Sequence, residues 1–163
     1  MTSKTAKNST ASKTSGATTP ELSPDTAQQV LDSQPFSALV GARITEFGDG
    51  RAVLEVDVRE ELTQQNGFLH GGVLSYAADN ALTFAAGTTL GAAVLTGGFS
   101  IQYVRPASGR TLSARAEVVH TGRRQAVVRC DLYTTDDEGA ETLCAVAQGT
   151  VLSARPARRE ETR

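Results

Sequence analysis

The residue types best suited to chemistry lie in one short stretch, from Gln64 to Asp79. His70, Gly71 and Gly72 stand at the start of an expected helix, where backbone N–H groups have no partner within the helix and carry the positive end of its dipole. Glycines let a ligand approach such a backbone closely, so this helix start can polarise a carbonyl or hold an oxyanion. The alternative is a flexible junction between a loop and a helix, without a ligand.

Asp79 is the second residue with chemical potential. It lies inside an alanine-rich run that is expected to be a buried helix. A carboxylate there destabilises the fold unless it is paired or hydrogen-bonded, and ionisable groups in such surroundings concentrate at functional sites. The alternative is a structural carboxylate bonded to Asn80 or to the backbone. Together with the two glycines, Asp79 is interpreted as a catalytic group.

The spacing of these residues predicts an oligomer. Gly71 and Asp79 are eight residues apart, which is about 12 Å along one helix. A reacting carbonyl must lie about 3 Å from its hydrogen-bond donor and also within reach of the base or nucleophile. One helix therefore cannot offer both groups to the same carbonyl. We expect a twofold dimer in which a second subunit's helix runs antiparallel to the first and completes the site.

Periodicity and turn residues indicate the elements that position this site. Ser23 caps a helix that begins at Pro24 and ends before Pro35. The run from Gly71 to about Leu90 is apolar nearly all round, which predicts one long buried helix. A single polar stripe interrupts it: Tyr76, Asp79, Asn80 and Thr83.

The rest of the chain is expected to be extended. Strands are predicted within a hairpin at 43–58 and at 93–104, 111–121, 124–134 and 142–153. Gly97 and Gly98 within one of these runs indicate a bulge or a close backbone approach. Because the turns are short, consecutive strands are expected to be antiparallel neighbours in one sheet around the helix, an α+β fold.

Composition limits the possible functions. The 163 residues fit one domain at 21–154, between a tail at 1–20 that is expected to be disordered and a flexible tail at 155–163. Residues 21–154 hold nine arginines against 16 acidic residues, which argues against nucleic-acid binding. No membrane span or secretory signal is recognisable, so we expect a cytoplasmic protein without a membrane partner. Cys130 and Cys144 are interpreted as reduced core residues.

These residues resemble the hotdog-fold acyl-CoA thioesterases, in the branch of the phenylacetate-degradation (PaaI-like) enzymes. The resemblance covers about residues 36–153 and rests on Gln64, His70-Gly71-Gly72, Asp79, Thr83, the strand FSIQYVRP (99–106) and the turn TGRR. It implies an antiparallel sheet of five to six strands wrapped around one long buried helix. It also implies a homodimer, often paired into a tetramer, that hydrolyses an acyl-CoA substrate and needs neither a metal nor a cofactor.

The resemblance implies a role for each matching residue. Asp79 would activate water or attack the thioester directly, while the Gly71 N–H would polarise the thioester carbonyl. Gln64 would place water or substrate, and His70 would support the loop and the thioester sulfur. Thr83 and Thr96 would help to position water or substrate, with a locally bonded hydroxyl as the alternative for each.

Several residues are expected to contact the substrate. Besides Thr83 and Thr96, these residues are Asn66, Phe68, Gly72, Arg123 and Arg124. Arg123 and Arg124, on one turn, are interpreted as contacts for coenzyme A phosphates, with solvated arginines as the alternative. Phe68, Tyr76 and Phe84 could line a pocket for an aryl or medium-chain acyl group, although core packing is the simpler role for Phe84.

Two other functions fit the same fold. A non-catalytic acyl-CoA-binding protein would bind CoA esters without releasing a thiol. A 3-hydroxyacyl-thioester dehydratase would need a paired histidine and acid near the helix, whereas His70 precedes the glycine turn. A serine hydrolase triad is not supported, because His70 and His120 are the only histidines and no serine lies in a GxSxG turn.

Overall fold

One antiparallel sheet of six strands surrounds a single long helix in residues 23–154, the part of the chain that the computed structural model describes. The predicted α+β architecture is therefore confirmed, whereas the tails predicted for 1–20 and 155–163 lie outside the described residues. The elements are α1 (Pro24–Asp32), α2 (Pro35–Val40), β1 (Ala42–Gly48), β2 (Arg51–Asp57), a 3₁₀ turn (Glu60–Leu62), α3 (Gly71–Leu90), β3 (Val94–Tyr103), β4 (Thr111–Thr121), β5 (Gln125–Thr135) and β6 (Glu141–Ser153).

The two short helices begin at prolines, whose fixed φ and missing N–H suit the first helical position. The Ser23 hydroxyl accepts the N–H of Thr26 at 3.2 Å and caps α1 as predicted. The sequence predicts no element between Pro35 and Val40, yet α2 forms there. Gly41 ends it in the left-handed conformation with φ 76°, which glycine adopts without strain.

The strand order is β1-β2-β4-β5-β6-β3. The expectation that consecutive strands are neighbours is wrong for β3, which pairs with β6 and not with β4. The cause is the seven-residue connection 104–110, which is long enough to cross the end of the sheet. There the Leu69 N–H donates to the Ala107 carbonyl at 2.9 Å, so the connection passes beside the start of α3. β3 is consequently an edge strand.

Helix α3 contacts all six strands and forms the centre of the core. Its inward residues are mostly alanines, whose small side chains let the helix approach the sheet closely. The fully buried ones are Ala77, Ala78, Ala81, Ala85 and Ala86. No helix in residues 23–154 combines the length and apolarity needed to cross a bilayer.

Both cysteines are buried and free, as predicted. Burial raises the pKa of the Cys130 thiol to about 12, because a low-dielectric core disfavours the thiolate. Cys130 is therefore a packing residue with little nucleophilic character at neutral pH.

Candidate active site

Asp79, Thr83 and Thr96 form one polar group, here called the carboxylate cluster. The Thr96 hydroxyl donates to Asp79 Oδ1 at 2.6 Å, and the Thr83 and Thr96 hydroxyls lie 2.9 Å apart. Since the Thr96 proton goes to the carboxylate, Thr96 Oγ1 can accept from Thr83. The Thr83 hydroxyl also donates to the backbone carbonyl of Asp79 at 2.9 Å, so its one proton is shared between that carbonyl and Thr96 Oγ1. The cluster links α3 to the edge strand β3.

The Asp79 carboxylate is half-buried, less enclosed than the sequence predicts. Asn80 donates to the Tyr76 carbonyl at 3.2 Å and not to Asp79, so the expected structural partner is not used. Within residues 23–154 no cation pairs with Asp79, and no hydrogen bond reaches its Oδ2. One oxygen is thus held while the other is free, an arrangement that suits a base or a nucleophile.

A cavity of about 380 Å³ lies beside this cluster, between α1, α3 and the start of β3. Its apolar lining consists mainly of Ala27, Val30, Phe47, Phe84, Val94 and Leu95. The rings of Phe47 and Phe84 meet edge to face with centroids 6.3 Å apart. No arginine or lysine of the described chain lines it, so the cavity fits an uncharged apolar group next to a carboxylate.

A second groove reaches Asp79 from the side of α2. Tyr76 lines it, together with Phe36, Gly72 and Phe99. Tyr76 and Phe36 meet edge to face at 5.2 Å, and burial raises the pKa of the Tyr76 hydroxyl. Of the three predicted pocket aromatics, Phe84 and Tyr76 thus lie beside Asp79, while Phe68 lies elsewhere.

Gln64, Phe68, His70, Gly71 and Gly72 form a second group at the start of α3, here called the amide cluster. His70 is the N-cap, and its Nδ1 accepts the Gly72 N–H at 2.9 Å. In the neutral ring the proton therefore lies on Nε2. The Gly71 N–H has no acceptor within residues 23–154. Of the two glycine amides, Gly71 is the one available to a substrate carbonyl.

Gln64 is anchored in the loop before α3. Its Oε1 accepts the N–H of Asn66 at 2.6 Å, which leaves the Gln64 amide N–H groups without a partner in residues 23–154. The exposed Asn66 thus contributes its backbone to the position of Gln64. A groove of about 380 Å³ runs past Gln64, Phe68 and Gly71, with Tyr103 and Arg105 on its other side.

Comparison with known proteins identifies the family. The family model of the thioesterase superfamily matches residues 66–141. A crystal structure of a thioesterase family protein from Silicibacter pomeroyi superimposes with a TM-score of 0.72 at 36% identity, covering 77% of this chain and 93% of that one. The chain belongs to the thioesterase superfamily. The predicted hotdog fold, PaaI-like resemblance and thioester-hydrolase class are therefore confirmed.

Two relatives of this thioesterase carry substrate names. The 1,4-dihydroxy-2-naphthoyl-CoA hydrolase of Listeria monocytogenes is 29% identical over 114 residues, covering 69% of this chain and 89% of the relative. The acyl-coenzyme A thioesterase PaaI of Escherichia coli is 28% identical over 102 residues, covering 62% of this chain and 72% of the relative.

The two clusters of this thioesterase share α3 but do not meet within one protomer. Arg123 and Arg124 belong to neither cluster. Both are exposed on the turn between β4 and β5. A 3.0 Å hydrogen bond between the Thr121 and Thr89 hydroxyls holds that turn near the C-terminal end of α3, opposite His70. Residues 23–154 contain no group of three or more His, Cys, Asp or Glu that could hold a metal ion.

Sequence reasoning missed Tyr103. Its hydroxyl donates to the Gly71 carbonyl at 3.0 Å and lies 2.8 Å from the Ser75 hydroxyl. The only sequence signal was its place in the YVRP motif, because no local pattern shows that a residue 32 positions away reaches the helix start.

Proposed function

We propose that this thioesterase hydrolyses an acyl-CoA to a free acid and coenzyme A, at a site that two protomers share. Asp79 of one protomer is the base or nucleophile, and the Gly71 N–H of its partner polarises the thioester carbonyl. The proposal depends on the presence of two groups on α3. One is the Asp79 carboxylate, whose Oδ1 is held by Thr96 while its Oδ2 has no hydrogen-bond partner in residues 23–154; the other is the Gly71 N–H at the helix N-terminus, which has no acceptor there. The CoA-specific names of the two curated relatives support the same substrate class.

The acyl group occupies the cavity beside Asp79. Its volume of about 380 Å³ lies at the small end of ligand pockets. The edge-to-face pair of Phe47 and Phe84 provides an aromatic wall. These features support an aryl or medium-chain acyl group without charge.

The need for two protomers follows from helix geometry. Gly71 and Asp79 are separated by eight residues of regular helix, about 12 Å. A thioester carbonyl bound to the Gly71 amide is therefore out of reach of the same protomer's carboxylate. An antiparallel neighbouring α3 brings its Asp79 to that carbonyl.

Edge strand β3 offers a surface for this pairing. Its outer edge has no strand partner in the described protomer, and Leu95 and Tyr103 on it are more than half exposed. Antiparallel pairing of two β3 strands about a twofold axis would satisfy their free N–H and C=O groups. The same axis makes the two α3 helices antiparallel. Pairing of two such dimers into a tetramer is a further expectation from the resemblance.

Two catalytic routes use this arrangement. In the first, Asp79 takes a proton from water that attacks the carbonyl, and the thiolate of coenzyme A leaves. In the second, Asp79 attacks the carbonyl, the thiolate leaves, and water hydrolyses the resulting anhydride. In both, the Gly71 amide stabilises the developing oxyanion. A single turnover in ¹⁸O-labelled water tests for the second route, because label enters the Asp79 carboxylate only when water attacks the Asp79 carbonyl of the anhydride.

Arg123 and Arg124 are proposed to contact the phosphates of coenzyme A. Both are exposed and form no ion pair within residues 23–154. Their turn is held to Thr89, about 15 Å along the helix from Asp79, a distance that a pantetheine arm can bridge. Replacing both by alanine should raise KM for acyl-CoA and leave kcat nearly unchanged.

Free-thiol release by the Asp79→Asn variant tests the proposal. The wild type should release coenzyme A from aryl- or medium-chain acyl-CoA, and the variant should be slower by about 10²–10⁴-fold. Buried cysteines keep the dye background low. Asp131→Asn is the matched control, because Asp131 pairs with Arg129 on the outer sheet face. Tight binding of acyl-CoA without thiol release would instead identify a non-catalytic binding protein.

A further inference from the structure

Strand β3 holds both clusters of the protomer. Thr96, near its start, donates to the Asp79 carboxylate at 2.6 Å. Tyr103, its last residue, donates to the Gly71 carbonyl at 3.0 Å. Two side chains of one strand thus contact the two residues to which the proposed reaction assigns catalytic groups, Asp79 and Gly71.

The hydrogen bonds of Tyr103 have a defined direction. A phenol has one proton, which Tyr103 gives to the Gly71 carbonyl. The Ser75 hydroxyl, 2.8 Å from Tyr103 Oη, must then be the donor in their contact. Ser75 therefore orients Tyr103, and Tyr103 holds the first peptide carbonyl of α3.

The tyrosine ring also covers Gly71. A Cβ built on Gly71 would lie 3.4 Å from Tyr103 Cζ and Oη, in van der Waals contact. A second restraint on this part of the backbone comes from His70, whose Nδ1 accepts the Gly72 N–H. The Gly71 residue is thus held from the strand through its carbonyl and from the cap through the next amide. Helix ends fray when they lack such restraints.

We propose that Tyr103 is a positioning residue that fixes the first turn of α3 and thereby aims the Gly71 N–H at the thioester oxygen. This role rests on the proposed acyl-CoA hydrolysis. Tyr103 does not touch the reacting atoms, and its effect reaches them through Gly71. A mobile amide would stabilise the oxyanion less well, because electrostatic catalysis depends on donors that are already oriented.

The test compares Tyr103→Phe with Tyr133→Phe under steady-state thioesterase conditions. Tyr133 packs under Arg115 on the outer sheet face, so its variant controls for loss of a phenol. Tyr103→Phe should lower kcat about fivefold to tenfold with little change in KM. The pH dependence of kcat should keep its shape, because Asp79 is untouched.

Ser75→Ala provides a second, milder variant. It should lower kcat less than Tyr103→Phe does, and the double variant should match Tyr103→Phe alone, because Ser75 acts through Tyr103. A Tyr103→Phe enzyme with the kcat of Tyr133→Phe, or with only a raised KM, overturns the positioning role and leaves the hydrolase proposal intact. A wild type inert toward every acyl-CoA refutes the hydrolase proposal and this role with it.

Discussion

Replacing Gly71 by proline would remove the proposed oxyanion donor while keeping the helix. Proline is favoured at the first position of a helix, and α1 and α2 of this protein already begin with it. The preceding residue must be extended, and His70 is, with φ −62° and ψ 136°. The new Cβ would lie in ordinary contact with Tyr103, at 3.4 Å. The variant should therefore fold, with the proline ring in place of the N–H.

The expected loss is large because one oriented donor faces the oxyanion. Removal of such a donor costs about 10²–10³-fold in kcat, or about 2.7–4 kcal/mol. Gly71→Ala is the matched control, since it adds the same Cβ contact and keeps the N–H. Free-thiol release should fall at least about 100-fold from the alanine to the proline variant, with circular dichroism reporting equal helix content. Equal rates of thiol release by folded Gly71→Ala and Gly71→Pro variants would refute the assignment of the Gly71 N–H as the oxyanion donor.

Three further predictions concern the carboxylate cluster and the packing of β6 and α3. Thr96→Val removes the hydroxyl that donates to Asp79 and should lower kcat about tenfold or more. Thr96→Ser keeps the hydroxyl and should have a kcat near that of the wild type. Equal kcat values for the valine and serine variants would contradict the role of the Thr96 hydroxyl in holding Asp79. Gly149→Ala places a Cβ 2.6 Å from Phe99 Cβ and should cost about 1–3 kcal/mol in thermal or urea unfolding. Gly87→Ala places its Cβ 3.9 Å from Val94 Cγ2, an ordinary contact, and should stabilise helix α3 by about 0.5–1 kcal/mol. A Gly87→Ala variant less stable than Gly149→Ala would contradict the packing described.

Local signals predict most of the elements. The helix from Gly71 to Leu90 and the hairpin at 43–58 follow from apolar periodicity and from turn glycines, so the structure reproduces them closely. The bulge expected at Gly97 and Gly98 appears as a register shift between β3 and β6. What the sequence does not show is the partner of β3, because strand pairing is a non-local choice that depends on the path of the connection 104–110.

The site was predictable in its residue types and not in its contacts. An acidic residue in an apolar helix and glycines at its start are local signals, and both belong to the clusters described. Thr96 and Tyr103 bond to α3 across 17 and 32 positions of sequence. Such contacts depend on the three-dimensional packing of β3 against α3, which no spacing in the sequence records.

Mixing of two inactive variants tests whether the site is shared between protomers. In a heterodimer of Asp79→Asn with Gly71→Pro, one of the two sites combines an intact carboxylate with an intact amide from the other chain. Equal mixing by co-expression or by refolding should therefore restore about a quarter of wild-type thiol release, because half of the dimers are mixed and each holds one complete site. A mixture no more active than its two components would show that Asp79 and Gly71 do not act across an interface.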